Sequence, residues 1–330
     1  MLRLKLGLIG MAHPQASNCL EQLLERDDAE VVGIYDTCKE RMTALQSRYG
    51  IRAYSACEQL LAADVDAVIV GSETKHHAMH VKTAASARKH VLCGEPLGLN
   101  QEEMREMLEA CAANNVQLMT AFPYRYLPSV LEAKAVLESG RLGTVQTVKA
   151  ASRAQRPAGC LLDASVSGGG AVMDQGVHAL DLLSWLLHAE PVNVYAEAWS
   201  FIQEDAAILH VAFDNDVKAV LDTSWCLPES YPIRKEMTME IIGTKGALTL
   251  NAFTQATRLY SDCNSKTVWS YWGDTGEHML IHDFVRALLE NKAVPLTGLD
   301  GFRATAAALA ACESLASQAP CSLEPFIRGR

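Results

Sequence analysis

The first 121 residues alternate between short apolar runs and segments of helical period, and this pattern constrains the fold more than any other feature. Apolar runs lie at residues 4–9, 31–35, 65–70, 91–93 and 116–121. Segments of helical period lie between them, at residues 15–26, 38–49, 77–88 and 101–114. Strands that alternate with helices form βαβ units around a parallel sheet. The sequence therefore predicts an N-terminal α/β domain over residues 1–122.

The pattern changes after residue 122, where predicted strands follow one another with few helices between them. These strands lie at residues 144–152, 192–201, 208–213, 217–224, 236–242, 247–250 and 268–271. Predicted helices lie at residues 128–139, 173–187, 278–289 and 301–318. Strands in series favour an open, mainly antiparallel sheet. The second prediction is an α+β domain over residues 123–330, and two domains suit a chain of 330 residues.

Charge and cysteine content exclude several classes of partner. The chain has 29 Lys and Arg against 39 Asp and Glu, a net charge of −10, which disfavours binding to nucleic acid or to anionic membrane surfaces. No apolar stretch approaches the roughly 18 residues that a membrane span needs, and the N-terminal run is too short for a signal peptide. The 10 cysteines show no C-x-x-C spacing and are expected to be reduced thiols. These features predict a cytoplasmic protein with a small-molecule substrate.

The first predicted strand ends at Gly10, and Met11, Ala12 and His13 form a turn before the first predicted helix. In a nucleotide-binding turn, the N–H groups at the helix N-terminus face a pyrophosphate. Counted from Gly10, the G-x-G-x-x-G pattern has Ala12 and Gln15 where glycines are expected. The turn predicts a dinucleotide site, and the alternative is an ordinary turn at a strand end. His13 is expected either to contact the cofactor or to satisfy a carbonyl of the turn.

Asp36 ends the second predicted strand, 26 residues after Gly10. An acid at this point binds the adenosine ribose hydroxyls of NAD and repels the additional phosphate of NADP. Asp36 therefore predicts NAD as the cofactor, with NADP less favoured. The alternative is that Asp36 only caps the following helix.

Asp174, His178 and Asp181 are spaced to share one face of the predicted helix at residues 173–187. Three consecutive glycines precede that helix, at residues 168–170. Oxidation of an alcohol needs a base whose pKa lies near the working pH, and histidine meets that requirement best. The spacing predicts a catalytic His178, and the alternative is a histidine that only makes hydrogen bonds within its helix.

Five stretches carry a resemblance to a known family: DVDAVIV at 64–70, SETKHH at 72–77, KHVLCGEPL at 89–97, GGGAVMDQGVHALD at 168–181 and IIGTKGAL at 241–248. They resemble the successive motifs of the Gfo/Idh/MocA oxidoreductases, the glucose-fructose oxidoreductase and inositol dehydrogenase family. The resemblance implies an N-terminal Rossmann domain that binds NAD(P). It also implies a C-terminal domain whose open sheet forms the substrate wall and an oligomer interface, in a dimer or tetramer.

The resemblance also implies roles for individual residues. His178 would be the acid/base, and Asp174 would position the substrate or the imidazole. His77 matches the usual histidine of the family, and Ser72 and Glu73 lie in the motif beside the nicotinamide, where the family usually has Thr-Pro-Asn. Gly94 belongs to the motif that follows the fourth strand.

Glu95 is the main departure from the family. The family usually has Glu-Lys-Pro where this chain has Gly94-Glu95-Pro96, so Glu95 replaces the lysine that contacts the reacting oxygen. Glu95 could accept the substrate proton, it could hydrogen-bond a polyol hydroxyl while His178 alone acts as acid/base, or it could mark the loss of catalysis. A carboxylate cannot stabilise a developing alkoxide as an ammonium group does.

The sequence thus predicts an NAD-dependent oxidoreductase that acts on a sugar, a cyclitol or a related polyol by hydride transfer. Two alternatives stay open: a non-catalytic NAD-binding sensor or regulator, and a glycosidase that uses NAD transiently. No metal is expected, because His76 and His80 have the spacing of a ligand pair but no third ligand accompanies them.

Overall fold

The computed structural model describes residues 3–200, 204–231, 233–253, 256–261, 266–271 and 276–323. The chain forms two compact units. The first consists of Met1–Phe122, Asp163–Gly168 and Glu277–Ala306. The second consists of Pro123–Leu162, Gly169–Gly276 and Ala307–Arg330. Each unit takes segments from distant parts of the sequence, and the division of function at residue 122 stays a prediction.

The first unit contains a five-stranded parallel sheet in the order β2-β1-β3-β4-β5. Its strands are β1 (Leu4–Ile9), β2 (Ala29–Tyr35), β3 (Ala67–Val70), β4 (His90–Cys93) and β5 (Leu118–Thr120). All four residues of β3 are buried, as expected for a central strand covered on both faces. The chain places β2 on one side of β1 and β3 on the other, which creates the switch point where such sheets bind ligands.

Helices connect these strands. They are α1 (Pro14–Leu24), α2 (Lys39–Tyr49), α3 (Cys57–Leu61), α4 (His77–Ser86) and α5 (Gln101–Ala113). A short helix α7 (Ala164–Ser167) and the helix α9 (Glu277–Leu289) also belong to the first unit. Helix α9 packs on α1, where Asn18 Nδ2 donates to Glu277 Oε1 at 3.2 Å. The sequence analysis missed α3 and α7, since five and four residues are too few to show helical period.

The second unit contains a seven-stranded mixed sheet in the order β11-β10-β6-β9-β8-β7-β14. Among the strand pairs of this sheet that the described residues form, β6–β9 alone is parallel and the others are antiparallel. The strands are β6 (Val145–Ala154), β7 (Pro191–Ser200), β8 (Glu204–Phe213), β9 (Lys218–Ser224), β10 (Lys235–Gly243), β11 (Ala247–Asn251) and β14 (Cys321–Ser322). A separate hairpin joins β12 (Ala256–Ser261) to β13 (Lys266–Tyr271). The sequence analysis did not predict β12 or β14.

Two helices of this unit lie near the sheet: α6 (Pro128–Glu138) and α8 (Val177–Leu187). The last helix, α10 (Gly298–Ser317), supplies its second half to this unit. The predicted helix at residues 173–187 begins differently from the prediction, because Val172–Gly176 forms a π turn before α8. The predicted fold class, a Rossmann domain followed by an α+β domain with a mainly antiparallel sheet, is confirmed.

None of the helices in the described part of the chain is long and apolar enough to cross a membrane.

Candidate active site

In the first unit, the predicted cofactor residues follow the carboxyl ends of parallel strands. Gly10 follows β1, Asp36 follows β2, Ser72 and Glu73 follow β3, and Gly94 follows β4. Carboxyl ends of parallel strands lie at one edge of a sheet, and ligands of such sheets bind there. The topology therefore brings these residues to the same edge.

The backbone around Gly10 is fixed from both neighbouring strands. Gly10 N donates to Tyr35 O at 2.7 Å, and His13 N donates to Gly71 O at 3.1 Å. Gly10 has φ +74°, and a Cβ on it would lie 2.4 Å from Ser72 Cα, so only glycine fits. His13 Nδ1 accepts a hydrogen bond from Gln15 N at 3.4 Å and so caps α1. Its predicted contact with the cofactor stays a prediction.

The Asp36 carboxylate is buried and makes four hydrogen bonds. It is 2% exposed and accepts from Met11 N and Cys38 N, both at 2.7 Å. Arg41 Nε and one Arg41 terminal nitrogen donate to its two oxygens, both at 2.9 Å. A carboxylate offers about four lone-pair positions, so these donors fill its usual capacity. Asp36 therefore lies at the end of β2 and holds Cys38, the residue that precedes α2, through its backbone N–H.

Arg41 also donates to Glu73 Oε1 at 3.0 Å, so it joins the ends of β2 and β3. Its hydrogen bonds to Asp36 raise the pKa of the guanidinium above its ordinary value. Burial of Glu73 acts to raise the pKa of that carboxyl, but backbone hydrogen bonding and Arg41 outweigh burial, and the pKa is lowered. The sequence analysis missed Arg41, and the available signal was a basic residue five positions after Asp36.

His77 links the loops that follow β3 and β4. Its Nε2 lies 3.1 Å from Ser72 O, and its Nδ1 lies 3.1 Å from Pro96 O. Burial lowers the pKa of His77 to about 4, although the facing carbonyls favour the protonated ring. A neutral imidazole has one N–H to donate. His77 therefore positions the loops that carry Ser72 and Gly94, and its own contact with a cofactor stays a prediction.

Glu95 lies in the first unit and is 4% exposed. Burial is the main cause that raises the pKa values of Cys19 and Cys93, and the Glu95 carboxylate adds to the rise in both thiols. The Glu95–Pro96 peptide bond is cis. The residue that replaces the family's usual lysine is therefore a buried acid whose charge acts on two buried thiols.

The chemistry of the first unit fits a dinucleotide. Helix α1 presents its N-terminus next to the strand end, and Ala12 is small enough for a phosphate to approach. An acid stands at the end of β2.

In the second unit, Asp174 lies in the π turn that precedes α8. Its Oδ2 accepts from Trp225 Nε1 at 2.6 Å and from Gln175 Nε2 at 2.8 Å. Trp225, which is buried directly after β9, thus hydrogen-bonds the acid that was predicted to position the substrate. These two donors hold the Asp174 carboxylate in one orientation.

Glu204 fixes the start of that π turn, and the sequence analysis did not select it. Its two carboxylate oxygens accept from Gly170 N and Val172 N, each at 2.7 Å. A Cβ on Gly170 would lie 2.4 Å from the Glu204 carbonyl oxygen, so glycine permits this close approach. Burial raises the pKa of Glu204, although both backbone hydrogen bonds act to lower it.

His178 lies in the first turn of α8 and is 5% exposed. Its ring stacks on Tyr124, with 4.3 Å between ring centroids and an interplanar angle of 23°. Tyr124 also makes an edge contact with Phe253 at 5.2 Å. The packing fixes the plane of the imidazole, which a directional proton transfer requires.

Asp181 forms a buried ion pair with Arg125. The guanidinium donates to both carboxylate oxygens, at 2.6 and 2.9 Å. The Arg125 guanidinium also lies 5.4 Å from the Trp185 ring centroid. The pair fixes α8 against the Pro123–Tyr126 turn within the second unit.

The described residues contain no group of three or more His, Cys, Asp or Glu side chains that could hold a metal ion.

Comparisons with known proteins agree with this arrangement. Residues 4–122 match the family model described as the oxidoreductase family with an NAD-binding Rossmann fold. Residues 130–249 match the GFO/IDH/MocA C-terminal domain. The uncharacterized oxidoreductase YrbE of Bacillus subtilis is 30% identical, and the match covers 79% of each chain. The chain belongs to the Gfo/Idh/MocA family of oxidoreductases.

Other members of the Gfo/Idh/MocA family match almost the whole chain. Myo-inositol 2-dehydrogenase of Thermotoga maritima is 26% identical over 98% of this chain and 100% of its own. A crystal structure of a probable dehydrogenase from Thermotoga maritima superimposes with a TM-score of 0.85 at 25% identity, and it covers 98% of this chain and 100% of its own. The predicted family and the predicted NAD-binding fold are confirmed.

Proposed function

We propose that this member of the family is an NAD-dependent dehydrogenase that oxidises a hydroxyl group of a cyclitol, a sugar or a related polyol. The arrangement at the start of α8 carries the proposal, because Asp174 is held by Trp225 while His178 is held by Tyr124. The relative from Thermotoga maritima named myo-inositol 2-dehydrogenase supports a cyclitol as the substrate class.

The first unit would hold the cofactor. The turn of Gly10, Met11, Ala12 and His13 would lie against the pyrophosphate, where the positive end of the α1 dipole favours negative charge. The N–H groups of Gly10, Met11 and His13 already donate to Tyr35 O, Asp36 and Gly71 O, so they shape the turn. Other residues at the same sheet edge would contact the riboses and the nicotinamide: Asp36, Ser72, Glu73, His77 and Gly94. To accept a ribose hydroxyl, Asp36 would exchange one of the four donors that it has here. NAD, when bound, supplies the acceptor for the hydride.

The second unit would supply the group that accepts the substrate hydroxyl proton. As the hydride leaves the substrate carbon, the hydroxyl proton passes to a ring nitrogen of His178. Tyr124 restricts rotation of the imidazole, and Asp174 accepts a hydrogen bond from a further substrate hydroxyl. A polyol offers several adjacent hydroxyls, so one acid that positions and one base that reacts suit this substrate class.

Glu95 favours a second candidate function, a non-catalytic NAD-binding sensor. Its carboxylate has the wrong charge to stabilise a developing alkoxide. A sensor would bind cofactor and polyol, and ligand would change its association with a partner, without product. In a dehydrogenase, Glu95 would either accept a hydrogen bond from the substrate or take no part in the reaction.

We further propose a cytoplasmic location and a homo-oligomer, a dimer or a tetramer. The face of the second sheet that carries Trp199 is the expected contact surface, since Trp199 is 57% exposed.

Turnover of NAD with a panel of inositols, sugars and other polyols tests the function. We expect product with at least one cyclitol, and a loss in kcat of about 100-fold or more in His178→Asn with NADH affinity unchanged. His210→Asn, on an exposed strand position of the same unit, should behave as wild type. Intact NADH binding without turnover across the panel would overturn the dehydrogenase, and ligand-dependent partner binding would then favour the sensor. Release of sugar from a nitrophenyl glycoside without net NADH would favour the glycosidase.

A further inference from the structure

The π turn that carries Asp174 is wider than a turn of an α-helix. Val177 N donates to Val172 O, five residues back, whereas an α-helical turn closes over four residues. The turn before it is α-helical, since Asp174 N donates to Gly170 O at 3.1 Å. If the π turn closed as an α-helix, the residues before it would rotate by about 100° around the helix axis relative to α8. The π form therefore sets the direction of the Asp174 side chain relative to α8.

Two buried hydroxyl groups of the sheet bind carbonyls at this turn. The Ser152 hydroxyl of β6 donates to Gln175 O at 2.9 Å, and the Thr223 hydroxyl of β9 donates to Ala171 O at 3.1 Å. Both side chains are fully buried. A buried hydroxyl that lacks a partner is costly, so these two positions favour the turn that supplies two acceptors.

The sheet places the two hydroxyls side by side. Ser152 and Thr223 are register partners in the parallel β6–β9 pair, so their side chains lie on one face of the sheet, with the strands about 5 Å apart. Ala171 O and Gln175 O are four residues apart, and four residues along a helix rise about 6 Å. The spacing of the two hydroxyls thus matches the spacing of the two carbonyls.

The chain that follows β9 also holds the Asp174 carboxylate. Trp225 follows Thr223 by two residues, and its Nε1 donates to Asp174 Oδ2 at 2.6 Å. Trp225 packs in one buried cluster with Ala154 and Ala171. Thr223 therefore binds the backbone of the turn, while Trp225 binds the side chain of Asp174. Both contacts depend on where the turn places Ala171 and Asp174.

We propose that Ser152 and Thr223 are positioning residues that hold the turn in its π form and thereby orient Asp174 for the substrate. Neither hydroxyl acts on the reacting atoms. The proposal rests on the dehydrogenase function proposed above, in which Asp174 binds a further hydroxyl of the polyol. It predicts a defect in substrate binding rather than in proton transfer, because the His178 ring is held separately by Tyr124.

Nuclear magnetic resonance of the Trp225 indole N–H tests the proposal without turnover. A short hydrogen bond to a carboxylate moves this proton signal downfield, and Trp225→Phe assigns it. We expect the double variant Ser152→Ala with Thr223→Val to move the signal upfield, towards that of an indole in water. Thr223→Ser keeps the hydroxyl and should keep the signal of wild type. Thr147→Val, which removes a hydroxyl bonded to Lys218 O in the same strand pair, is the matched control.

Steady-state kinetics on the polyol that wild type oxidises give the second measurement. We expect KM for the polyol to rise about tenfold in Thr223→Val and further in the double variant, while kcat stays within about threefold of wild type. Thr223→Ser should restore KM, and NADH affinity should not change in any variant. A purely structural hydroxyl would lower the melting temperature of Thr223→Val and leave both KM and the Trp225 signal unchanged.

The outcomes separate this proposal from the proposed function. An unchanged Trp225 signal or an unchanged KM in the double variant overturns the positioning role, and the dehydrogenase stands if wild type oxidises a polyol and His178→Asn does not. If wild type binds NADH but oxidises no polyol, the dehydrogenase is wrong, and the Trp225 signal alone decides whether the hydroxyls hold the turn. If the double variant does not fold, Thr223→Val decides by the same two measurements.

Discussion

Arg41 sets the charge at the end of β2, where the ribose of a dinucleotide would bind. It lies between the carboxylates of Asp36 and Glu73, so the cluster keeps one excess negative charge. An excess negative charge repels the additional phosphate of NADP, and a nearby arginine attracts it. We therefore expect the balance between the two acids and Arg41 to decide how strongly the first unit discriminates between the cofactors.

Glu73→Gln should relax this discrimination. It removes one negative charge, leaves Asp36 in place and frees Arg41 from one partner. We expect NADPH affinity to rise roughly tenfold, with NADH affinity within about twofold of wild type. Fluorescence titration of both cofactors at low and high salt measures this, and salt should reduce the gain. Glu40→Gln, which alters an exposed acid next to Arg41 on α2, is the matched control. An equal gain in NADPH affinity in this variant would contradict the role of Glu73.

Glu95→Lys should raise the dehydrogenase rate. The substitution places an ammonium group where the family usually has one, and we expect a gain of about tenfold in kcat on the native polyol. Glu95→Gln removes the charge without adding a cation and should give a smaller gain. Glu277→Gln, which alters a second buried acid of the same unit, should give none. An unchanged rate in Glu95→Lys with intact NADH binding would show that position 95 does not limit the chemistry.

His77 should make the protein less stable below neutral pH. Its folded pKa is about 4 because burial penalises the charged ring, while an unfolded histidine titrates near 6.5. The unfolded chain therefore binds more protons between these values. The stabilisation is complete above about pH 6.5 and is lost as pH falls towards 4, by about 3 kcal/mol in total.

Urea unfolding at pH 7.5 and pH 5 measures this effect. As pH falls from 7.5 to 5, we expect the free energy of unfolding to decrease by about 2 kcal/mol more in wild type than in His77→Gln. His76→Gln, next to it in the chain and only partly buried, should keep the slope of wild type. Equal slopes in wild type and His77→Gln would contradict the assignment.

At the scale of elements, the π turn and α8 act together as the platform for Asp174 and His178. Glu204 caps the start of this platform through two backbone N–H groups. Glu204→Ala leaves both N–H groups without that acceptor, which costs about 1–3 kcal/mol. We expect kcat to fall as well, because the turn that carries Asp174 loses its anchor. Urea unfolding and steady-state kinetics check both effects. Glu204→Gln should lose less stability and less kcat than Glu204→Ala. Glu197→Ala, on neighbouring β7, is the control.

The sequence predicted the strands and long helices of the first unit because buried parallel strands are continuous apolar runs. It could not predict the π turn, since a single widened turn hardly alters a pattern of helical period. The hydrogen bonds from Arg41 to Asp36 depend on side-chain rotamers. The hydrogen bonds of Ser152 and Thr223 to the π turn join residues far apart in the chain, and one sequence holds no signal for such contacts. Family and fold were therefore predictable, while the partners of each site residue were not.

At the scale of the whole molecule, one face of the second sheet has the features of a contact surface. A groove of about 430 Å³ lies there, lined by residues that include Trp199, Ile208 and Cys226. Neighbouring charges are already paired, since Arg153 forms ion pairs with Asp222 and Glu236. Paired charges and exposed apolar side chains suit burial against a second copy of the chain.

Trp199→Asp should weaken the proposed oligomer. A charge at the centre of an apolar contact would be buried without a partner, so we expect a shift to monomers in sedimentation velocity. Leu131→Asp places the same charge on an exposed leucine of α6 and should leave the sedimentation of wild type unchanged. A monomeric wild type would refute the assembly itself.

The three separate segments of the first unit have a consequence for synthesis on the ribosome. Leu280 and Phe284 of α9 are fully buried in that unit, yet they lie more than 150 residues after Phe122. The nascent Rossmann sheet therefore emerges long before the helix that covers part of it. The second unit in turn includes residues 307–323, which follow α9 in the chain. A chain cut short before residue 277 would lack α9 and α10, and would leave apolar positions of both cores uncovered.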